Sequence, residues 1–327
     1  MKTISVVIPF FNEGHNVDRI YQELVAMHQR DLPGYALQVV LMDNHSADDS
    51  FERARAIAAR DARVTVIRLS RNFGYQANIL TGLFAATGDA VVQLDADGED
   101  DPTLIPRMVE LWEAGNRVVY GVRRRRAESW VLSLQRKAFY RLLNMATDLA
   151  LPVDAGDFRL LDRQVVEALR ACPESHLYVR GLVSFAGFQQ AGFEYDRRPR
   201  YSGDSRFSYL GYWRLAWDAI TSFSDLPLRL ATWCGVLLAG GSLIAMMFYL
   251  CYHFVFGTRA PGFTTIVLVL FFLAGAQFLF LGLLGTYIGR IFIEVKRRPR
   301  SIVETRISSP PEDSSHKGSV SAVGLLK

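Results

Sequence analysis

Short apolar runs recur along the N-terminal part of the chain and predict β-strands. They occupy residues 5–8, 38–42, 64–69, 90–94 and 117–121, with a further run near 189–195. The segments between the first five have helical periodicity, as in Val17, Ile20 and Leu24. Strands that alternate with helices predict an α/β fold, with a mostly parallel sheet and helices on both faces. Ligands of such folds bind at the carboxyl ends of strands, where Asp43 and Asp95 are expected.

The C-terminal part is far more apolar, since Arg259 is the only charged residue between positions 230 and 289. The two uncharged runs beside it, 230–258 and 260–289, each exceed the roughly 20 apolar residues that cross a bilayer. We therefore expect a two-helix transmembrane hairpin over residues 229–290. Basic residues precede the first run and follow the second, which predicts that both ends lie in the cytoplasm. They are Arg229, Arg290, Lys296, Arg297, Arg298 and Arg300.

The remaining segments complete the expected domain division. Residues 1–206 form a cytosolic α/β domain, and residues 207–228 form an amphipathic helix in the membrane interface, with a buried core helix as the alternative. Its aromatic residues include Tyr209, Tyr212, Trp213 and Trp217. Residues 291–327 are expected to be a basic cytoplasmic segment that continues, from Ser308 on, as a disordered tail.

Charge and cysteine content exclude two function classes. The chain has 37 Lys and Arg against 33 Asp and Glu, a net charge of +4, and the excess of arginine is local, as at residues 123–126. Binding of nucleic acid is therefore not expected. The basic run suits anionic lipid headgroups, and a solvated surface explains it equally well. The three cysteines have neither disulfide-framework nor zinc-site spacing.

Carboxylates are concentrated where the fourth predicted strand ends. Five of them fall within seven residues, at Asp95, Asp97, Glu99, Asp100 and Asp101. Asp95 and Asp97 lie on one side of an extended segment, and a Mg²⁺ or Mn²⁺ ion would relieve their repulsion. Such ions complete their coordination with substrate phosphates, which predicts a nucleotide-diphosphate ligand. The alternative is a solvated acidic turn before a helix that begins at Pro102, and we favour it for Asp100 and Asp101.

The chain contains several short motifs in a defined order, and the ordered set is more specific than any single motif. They are residues 7–13 (VIPFFNE), Asp43 with Ser46 and Asp49, and residues 71–74 (RNFG), 95–97 (DAD), 156–159 (GDFR), 180–182 (RGL) and 200–208 (RYSGDSRFS). The set resembles the family 2 glycosyltransferases that act on polyprenyl phosphate, above all bacterial bactoprenol glucosyltransferases. Dolichyl-phosphate mannose synthases and the undecaprenyl-phosphate aminoarabinose transferase are related to these. The resemblance implies a GT-A, Rossmann-like fold.

The resemblance also implies site residues. The nucleotide-sugar site would consist of Pro9, Phe11, Glu13, Asp43, Asp95 and Ala96. Asp95 and Asp97 would hold Mg²⁺ or Mn²⁺, and Asp157 with Asp97 would be catalytic. The acceptor phosphate would be bound by Arg200, Ser205 and Arg206.

Two motifs depart from the family pattern. The usual Asp-Asp-Gly-Ser after the second strand is here Asp43-Asn44-His45-Ser46. The usual Asp-Ala-Asp-Leu-Gln-Asp-Pro-Pro is here Asp-Ala-Asp-Gly-Glu-Asp-Asp-Pro, at residues 95–102. Both changes border the donor pocket, so the sequence leaves the identities of the nucleotide and the sugar open. Neither removes an expected metal ligand.

The activity that the resemblance implies is inverting, metal-dependent transfer of a hexose, glucose from UDP-glucose, to undecaprenyl phosphate for envelope glycan modification. The protein would be a multi-pass protein of the bacterial inner membrane, with its catalytic domain and both termini in the cytoplasm. Alternatives are a GDP-mannose or aminosugar donor, another lipid acceptor, processive polymerisation, or a non-catalytic membrane adaptor. Because phosphomonoesters have a second pKa of about 6, the acceptor needs no strong base. Asp157 is then expected to orient the substrates, or alternatively to pair with Arg159.

Small residues in the second apolar run predict close helix packing. Gly285 and Gly289 form a Gly-x-x-x-Gly pattern, which lets helix backbones approach each other in a membrane. The partner is either the first span, through Gly240 and Gly241, or the same helix of another subunit. With the resemblance, this favours a homo-oligomer, for which a tetramer is one candidate. Membrane lipids, the nucleotide sugar and polyprenyl phosphate are the other expected partners.

Overall fold

The computed structural model describes residues 1–124, 155–172, 178–198, 226–256 and 262–308. These residues divide into two compact units: the first holds residues 1–198 and 298–308, and the second holds 226–256 and 262–297, with the gaps given above. The predicted acceptor residues Arg200, Ser205 and Arg206 lie outside the described residues, as do residues 207–225 of the expected interfacial helix.

The first unit begins with alternating strands and helices. They are β1 (Thr3–Phe10), α1 (Gly14–Asp31), β2 (Ala36–Asp43), α2 (Ser50–Arg60), β3 (Val64–Leu69), α3 (Tyr75–Ala85), β4 (Ala90–Gln93) and α4 (Ile105–Glu113). The later elements are β5 (Val118–Arg123), β6 (Ala155–Asp162), α5 (Arg163–Ala171), α6 (Val179–Phe185), β7 (Gln190–Tyr195) and β8 (Val303–Ser308). Each apolar run that predicts a strand does form one.

The strands of the described residues form one sheet, in the order β7-β5-β6-β4-β1-β2-β3-β8. β1 pairs in parallel with β2 and β4, β2 with β3, and β5 with β7. β6 runs antiparallel to β4 and β5, and β8 runs antiparallel to β3. The centre of the sheet is therefore parallel, as predicted, and the antiparallel strands flank it.

Helices cover both faces of the sheet. Val6 and Ile8 of β1 pack with α1, α2 and α4 on one face. Val7 packs with α3, α5 and α6 on the other face. Strands that are buried on both faces consist of nearly continuous apolar residues, so the apolar runs in the sequence predicted these strands. Gly82 lets α3 lie directly on the sheet, because a Cβ there would be 2.4 Å from Cγ1 of Val7.

Two strands have no counterpart in the sequence prediction. β6 contains the motif at residues 156–159 and lies between β4 and β5. β8 comes from the segment expected to be a basic tail, and its residue Ser308 was expected to begin the disordered part. Its half-buried residues alternate with exposed ones, a pattern typical of an edge strand. With only six residues, it is too short to stand out beside the basic segment.

The second unit consists of two long helices. α7 (Leu226–Phe256) has 31 residues and α8 (Phe263–Lys296) has 34. Within the described part of the chain, one stretch, Phe272–Lys296, is long and apolar enough to cross a membrane. The pair of transmembrane spans expected from the sequence therefore stays a prediction.

Candidate active site

The carboxyl ends of β1, β2 and β4 meet at one edge of the sheet. Phe10, which ends β1, lies opposite Asp43, which ends β2. Gln93, which ends β4, pairs with Val7 of β1. Asp95 lies two residues beyond the end of this strand, so it stands at the same edge as Asp43. The topology thus confirms the placement predicted for both aspartates.

β6 adds Asp157 to this edge. Gln93 of β4 pairs with Arg159 of β6, and the two strands are antiparallel. Asp95 lies two residues beyond Gln93 and Asp157 two residues before Arg159, so both project to the same side of the pair. Residues far apart in sequence are brought together because β6 inserts beside β4.

Asp95 is surrounded by other carboxylates. Burial, followed by the negative charges of Asp100, Asp157 and Asp97, raises the pKa of Asp95 to about 8. The hydroxyl of Tyr75 donates a hydrogen bond to Oδ1 of Asp95 at 2.6 Å and partly offsets this effect. Negative charge is therefore concentrated around Asp95.

Asp95 and Asp97 fit a divalent cation that also binds substrate. Among the residues that the structure describes, no group of three or more His, Cys, Asp or Glu could hold a metal ion. Two carboxylates are sufficient where substrate phosphates complete the coordination shell of Mg²⁺. The charges of Asp100, Asp157 and Asp97 add repulsion to the burial of Asp95, and a cation would relieve that repulsion. Ala96, between the two aspartates, is buried.

Asp157 is held by arginines. Nε and Nη2 of Arg180 donate to its two carboxylate oxygens at 2.8 and 2.7 Å, and Nη2 of Arg159 lies 3.3 Å from Oδ1. Burial acts to raise the pKa of Asp157, but the charges of Arg180, Arg159 and Arg123 outweigh it and hold that pKa below its ordinary value. A carboxylate held in this way is a weak base, which favours an orienting role. Arg159, the partner considered from sequence, makes the longer contact.

Asp43 is fully buried at the end of β2. Its Oδ1 accepts a hydrogen bond from the backbone N–H of Ser46 at 2.8 Å. Its Oδ2 has no hydrogen-bond partner among the described residues and lies 3.6 Å from Nε of Arg68. Burial raises the pKa of Asp43, and Ser46 opposes that effect. A buried oxygen that receives no hydrogen bond can accept one from an N–H or O–H group of a ligand.

The loop after β1 is tied to the loop after β2. The backbone N–H of Asn12 donates to Oγ of Ser46 at 3.0 Å, and that of Glu13 donates to Oγ of Ser50 at 2.9 Å. Asn12 adopts a left-handed conformation, with φ of 55°, which turns the chain at this point. The predicted donor residues of this segment are Pro9 within β1, and Phe11 and Glu13, which are half-buried. This segment therefore runs alongside the end of β2 and the residues that follow it, where Asp43 lies.

Asp100 corrects one expectation, because it is fully buried and does not belong to a solvated turn. The hydroxyl of Tyr195 donates to its Oδ1 at 2.5 Å, and Nε of Arg197 lies 3.5 Å from the same oxygen. Burial raises the pKa of Asp100 above its ordinary value. Asp101 matches the capping part of that alternative, since it accepts from the N–H of Thr103 at 2.9 Å at the helix start. Its side chain is not solvated, because it is only 17% exposed and forms an ion pair with Arg198.

Sequence reasoning missed several side chains that contact the predicted ones. Arg180 was part of a quoted motif without an assigned role, and Tyr75 directly follows the motif at residues 71–74. Arg68 contacts Asp43, and Oε2 of Glu304 in β8 lies 3.2 Å from Nε of Arg68. The regular strand pattern around Arg68 contains no sign of this contact.

The sequence model of glycosyl transferase family 2 matches residues 5–170 of the chain. The chain belongs to this family. It is therefore a glycosyltransferase, and the GT-A α/β fold expected for it is confirmed. The match begins within β1 and extends through β6, and so includes Asp43, Asp95, Asp97 and Asp157.

Individual relatives extend the similarity beyond the matched domain. An uncharacterized glycosyltransferase, YkcC of Bacillus subtilis, is 38% identical over 92% of this chain and 93% of its own length. The bactoprenol glucosyl transferase of Shigella phage SfX is 35% identical, over 93% of this chain and 99% of its own. Among solved structures, glucosyl-3-phosphoglycerate synthase from Mycobacterium tuberculosis, in complex with Mn²⁺, UDP and phosphoglyceric acid, has a TM-score of 0.49. It is 19% identical and covers 67% of this chain and 76% of that one.

Proposed function

We propose that this glycosyltransferase transfers glucose from UDP-glucose to polyprenyl phosphate, with undecaprenyl phosphate as the acceptor. Transfer takes place at the cytoplasmic face of the membrane, inverts the anomeric centre and requires Mg²⁺ or Mn²⁺. The observation that carries the proposal is the convergence of Asp95, Asp97 and Asp157 at the carboxyl edge of the sheet. In this account Asp95 and Asp97 bind the cation together with the diphosphate of the donor.

The buried carboxylate of Asp43 supports a nucleotide-sugar donor whose base carries an N–H group in its ring. An ionised carboxylate only accepts hydrogen bonds, and Oδ2 of Asp43 is buried without such a bond among the described residues. Ring nitrogen N3 of uracil carries a hydrogen and can donate to Asp43. The same ring nitrogen of cytosine has no hydrogen and can only accept. Guanine also carries a ring N–H, so a GDP-sugar such as GDP-mannose is the second candidate.

The lipid acceptor is supported by the relatives and by the second unit. The similarity to a bactoprenol glucosyl transferase spans 93% of this chain and so includes both long helices. Large apolar side chains on these helices are exposed, among them Trp233 at 66%, Phe254 at 84% and Phe278 at 74%. Exposed apolar surface of this extent is typical of protein that contacts lipid or a partner. We therefore place a two-helix hairpin, residues 229–290, in the membrane, with both ends in the cytoplasm.

The reaction follows from the ionisation of its groups. An oxygen of the acceptor phosphate attacks the anomeric carbon, and the bond to the diphosphate breaks, so that its electron pair leaves with the diphosphate. Because the acceptor is mostly ionised at pH 7, no proton has to be removed first. A cation held by Asp95 and Asp97 would supply positive charge that stabilises the departing diphosphate. Asp157, fixed by Arg180 and Arg159, orients the substrates.

The proposal includes the parts of the chain outside the described residues. Arg200, Ser205 and Arg206 bind the acceptor phosphate, because guanidinium groups and a hydroxyl suit that anion. The catalytic domain is residues 1–206, followed by the interfacial helix and the hairpin. Subunits associate through Gly285 and Gly289 as a homo-oligomer.

A donor panel tests the proposed function. Full-length protein in detergent is incubated with undecaprenyl phosphate and labelled UDP-glucose, UDP-galactose, UDP-N-acetylglucosamine or GDP-mannose, each with Mg²⁺, Mn²⁺ or EDTA. We expect label in the lipid fraction from UDP-glucose, only when metal is present. Preference for GDP-mannose would identify the second candidate as the donor. Absence of lipid-linked label from every donor would contradict the proposal.

A further inference from the structure

Tyr75 connects the start of α3 to the acidic edge of the sheet. It is the first residue of α3, and the preceding Gly74 has φ of 90°, a conformation that favours glycine. α3 is seated on the sheet at Gly82, so the position of its first turn is fixed. From there the hydroxyl of Tyr75 reaches Oδ1 of Asp95 at 2.6 Å.

The direction of this hydrogen bond is set by Gln93. Gln93 is buried at the end of β4, and its Nε2 lies 3.4 Å from the hydroxyl oxygen of Tyr75. Because an amide NH₂ group only donates, the tyrosine oxygen accepts from Gln93 and its proton points to Asp95. Oδ1 of Asp95 is thereby held toward Tyr75, which restricts rotation of the carboxylate.

We propose that Tyr75 is a positioning residue for the metal ligand Asp95, and that Gln93 orients Tyr75. The inference rests on the proposed function, in which Asp95 and Asp97 bind a divalent cation. Groups that hydrogen-bond to a metal ligand fix its orientation, and their loss typically weakens metal affinity about 10- to 100-fold. Tyr75 is 39% exposed, so removal of its hydroxyl leaves the core of the sheet intact.

The test is Mn²⁺ binding to the full-length Tyr75→Phe variant in the presence of UDP, measured by electron paramagnetic resonance of free Mn²⁺. We expect the Kd for Mn²⁺ to rise about 10- to 100-fold, with transfer at saturating Mn²⁺ restored to within a few-fold of wild type. Gln93→Met should weaken Mn²⁺ binding in the same direction and by less. Tyr35→Phe is the matched control, because it removes a tyrosine–carboxylate hydrogen bond, to Glu113 at 3.1 Å, at the surface.

The outcomes separate this inference from the proposed function. Equal Mn²⁺ affinity in wild type and Tyr75→Phe would overturn the inference alone. Loss of transfer at saturating Mn²⁺ with unchanged Mn²⁺ affinity would also overturn it, since Tyr75 would then contact a substrate. If the wild-type protein bound no Mn²⁺ with any nucleoside diphosphate tested, the metal assignment would fall, and the inference with it.

Discussion

The buried hydrogen bond between Tyr195 and Asp100 provides a quantitative test of how the acidic segment is held. Tyr195→Phe removes only the hydroxyl, and the ring keeps its contacts with Phe158 and Phe193, whose centroids are each 5.9 Å away. Asp100 stays fully buried and keeps Arg197 at 3.5 Å. The variant therefore removes the hydrogen bond to a buried carboxylate, together with the hydroxyl's contact with the Arg123 guanidinium.

The expected loss follows from the charge and burial of Asp100. A hydrogen bond to a charged group contributes about 1.5–3 kcal/mol. For a domain of this size that loss lowers Tm by roughly 3–12 °C. Tyr35→Phe, whose hydroxyl contacts Glu113 at the surface, should lower Tm much less. In an Asp100→Asn background the effect of Tyr195→Phe should shrink, because the charged acceptor is gone.

The stability defect should also depend on pH. Burial raises the pKa of Asp100 above its unfolded value, so the folded protein favours the protonated carboxyl group. The hydroxyl of Tyr195 stabilises the ionised form of Asp100. The stability lost in Tyr195→Phe should therefore increase as the pH rises through the pKa of Asp100. Thermal unfolding of the full-length protein at several pH values measures both effects. A Tm equal to that of Tyr35→Phe at every pH would refute the reasoning.

Three further variants test other contacts. Arg180→Gln should raise the pKa of Asp157 and move the acidic limb of the pH–rate profile to higher pH; an unmoved limb would show that this ion pair does not control the reaction. Glu304→Gln removes the ion pair with Arg68, which contacts Asp43, and should weaken UDP binding about two- to fivefold, as expected for a partly exposed ion pair. Arg306→Gln, on the same exposed face of β8, should leave the UDP affinity measured by calorimetry unchanged. Gly285→Leu should shift the mass from light scattering toward the monomer, and an unchanged mass would assign the glycine to packing within one chain.

The parts of the fold that were predicted correctly are those determined by local patterns. β1 to β4 are buried on both faces, as is the first part of β5, so their apolar runs are visible in the sequence. Asp43 and Asp95 could therefore be placed at strand ends by counting. β8 escaped prediction because an edge strand needs only alternate apolar residues. Its pairing with β3 joins segments separated by more than two hundred residues.

The electrostatics of the site depended on long-range contacts that sequence patterns do not contain. Asp100 was expected in a solvated turn, because its partner Tyr195 lies 95 positions away. Arg180, likewise, is 23 positions from Asp157. Local spacing identified the carboxylates, whereas only the folded sheet shows which arginines and tyrosines are bound to them.

The central claim is that Asp95 and Asp97 bind the cation that holds the donor for transfer to a lipid phosphate. Its most direct test is metal-dependent transfer from UDP-glucose to undecaprenyl phosphate by full-length wild type, Asp97→Asn and Asp31→Asn, with Tm measured for each. Asp31 is exposed at the end of α1 and serves as the control.

We predict that Asp97→Asn abolishes transfer and weakens metal-dependent UDP binding while Tm stays unchanged, and that Asp31→Asn behaves as wild type. Full transfer by Asp97→Asn would contradict the account.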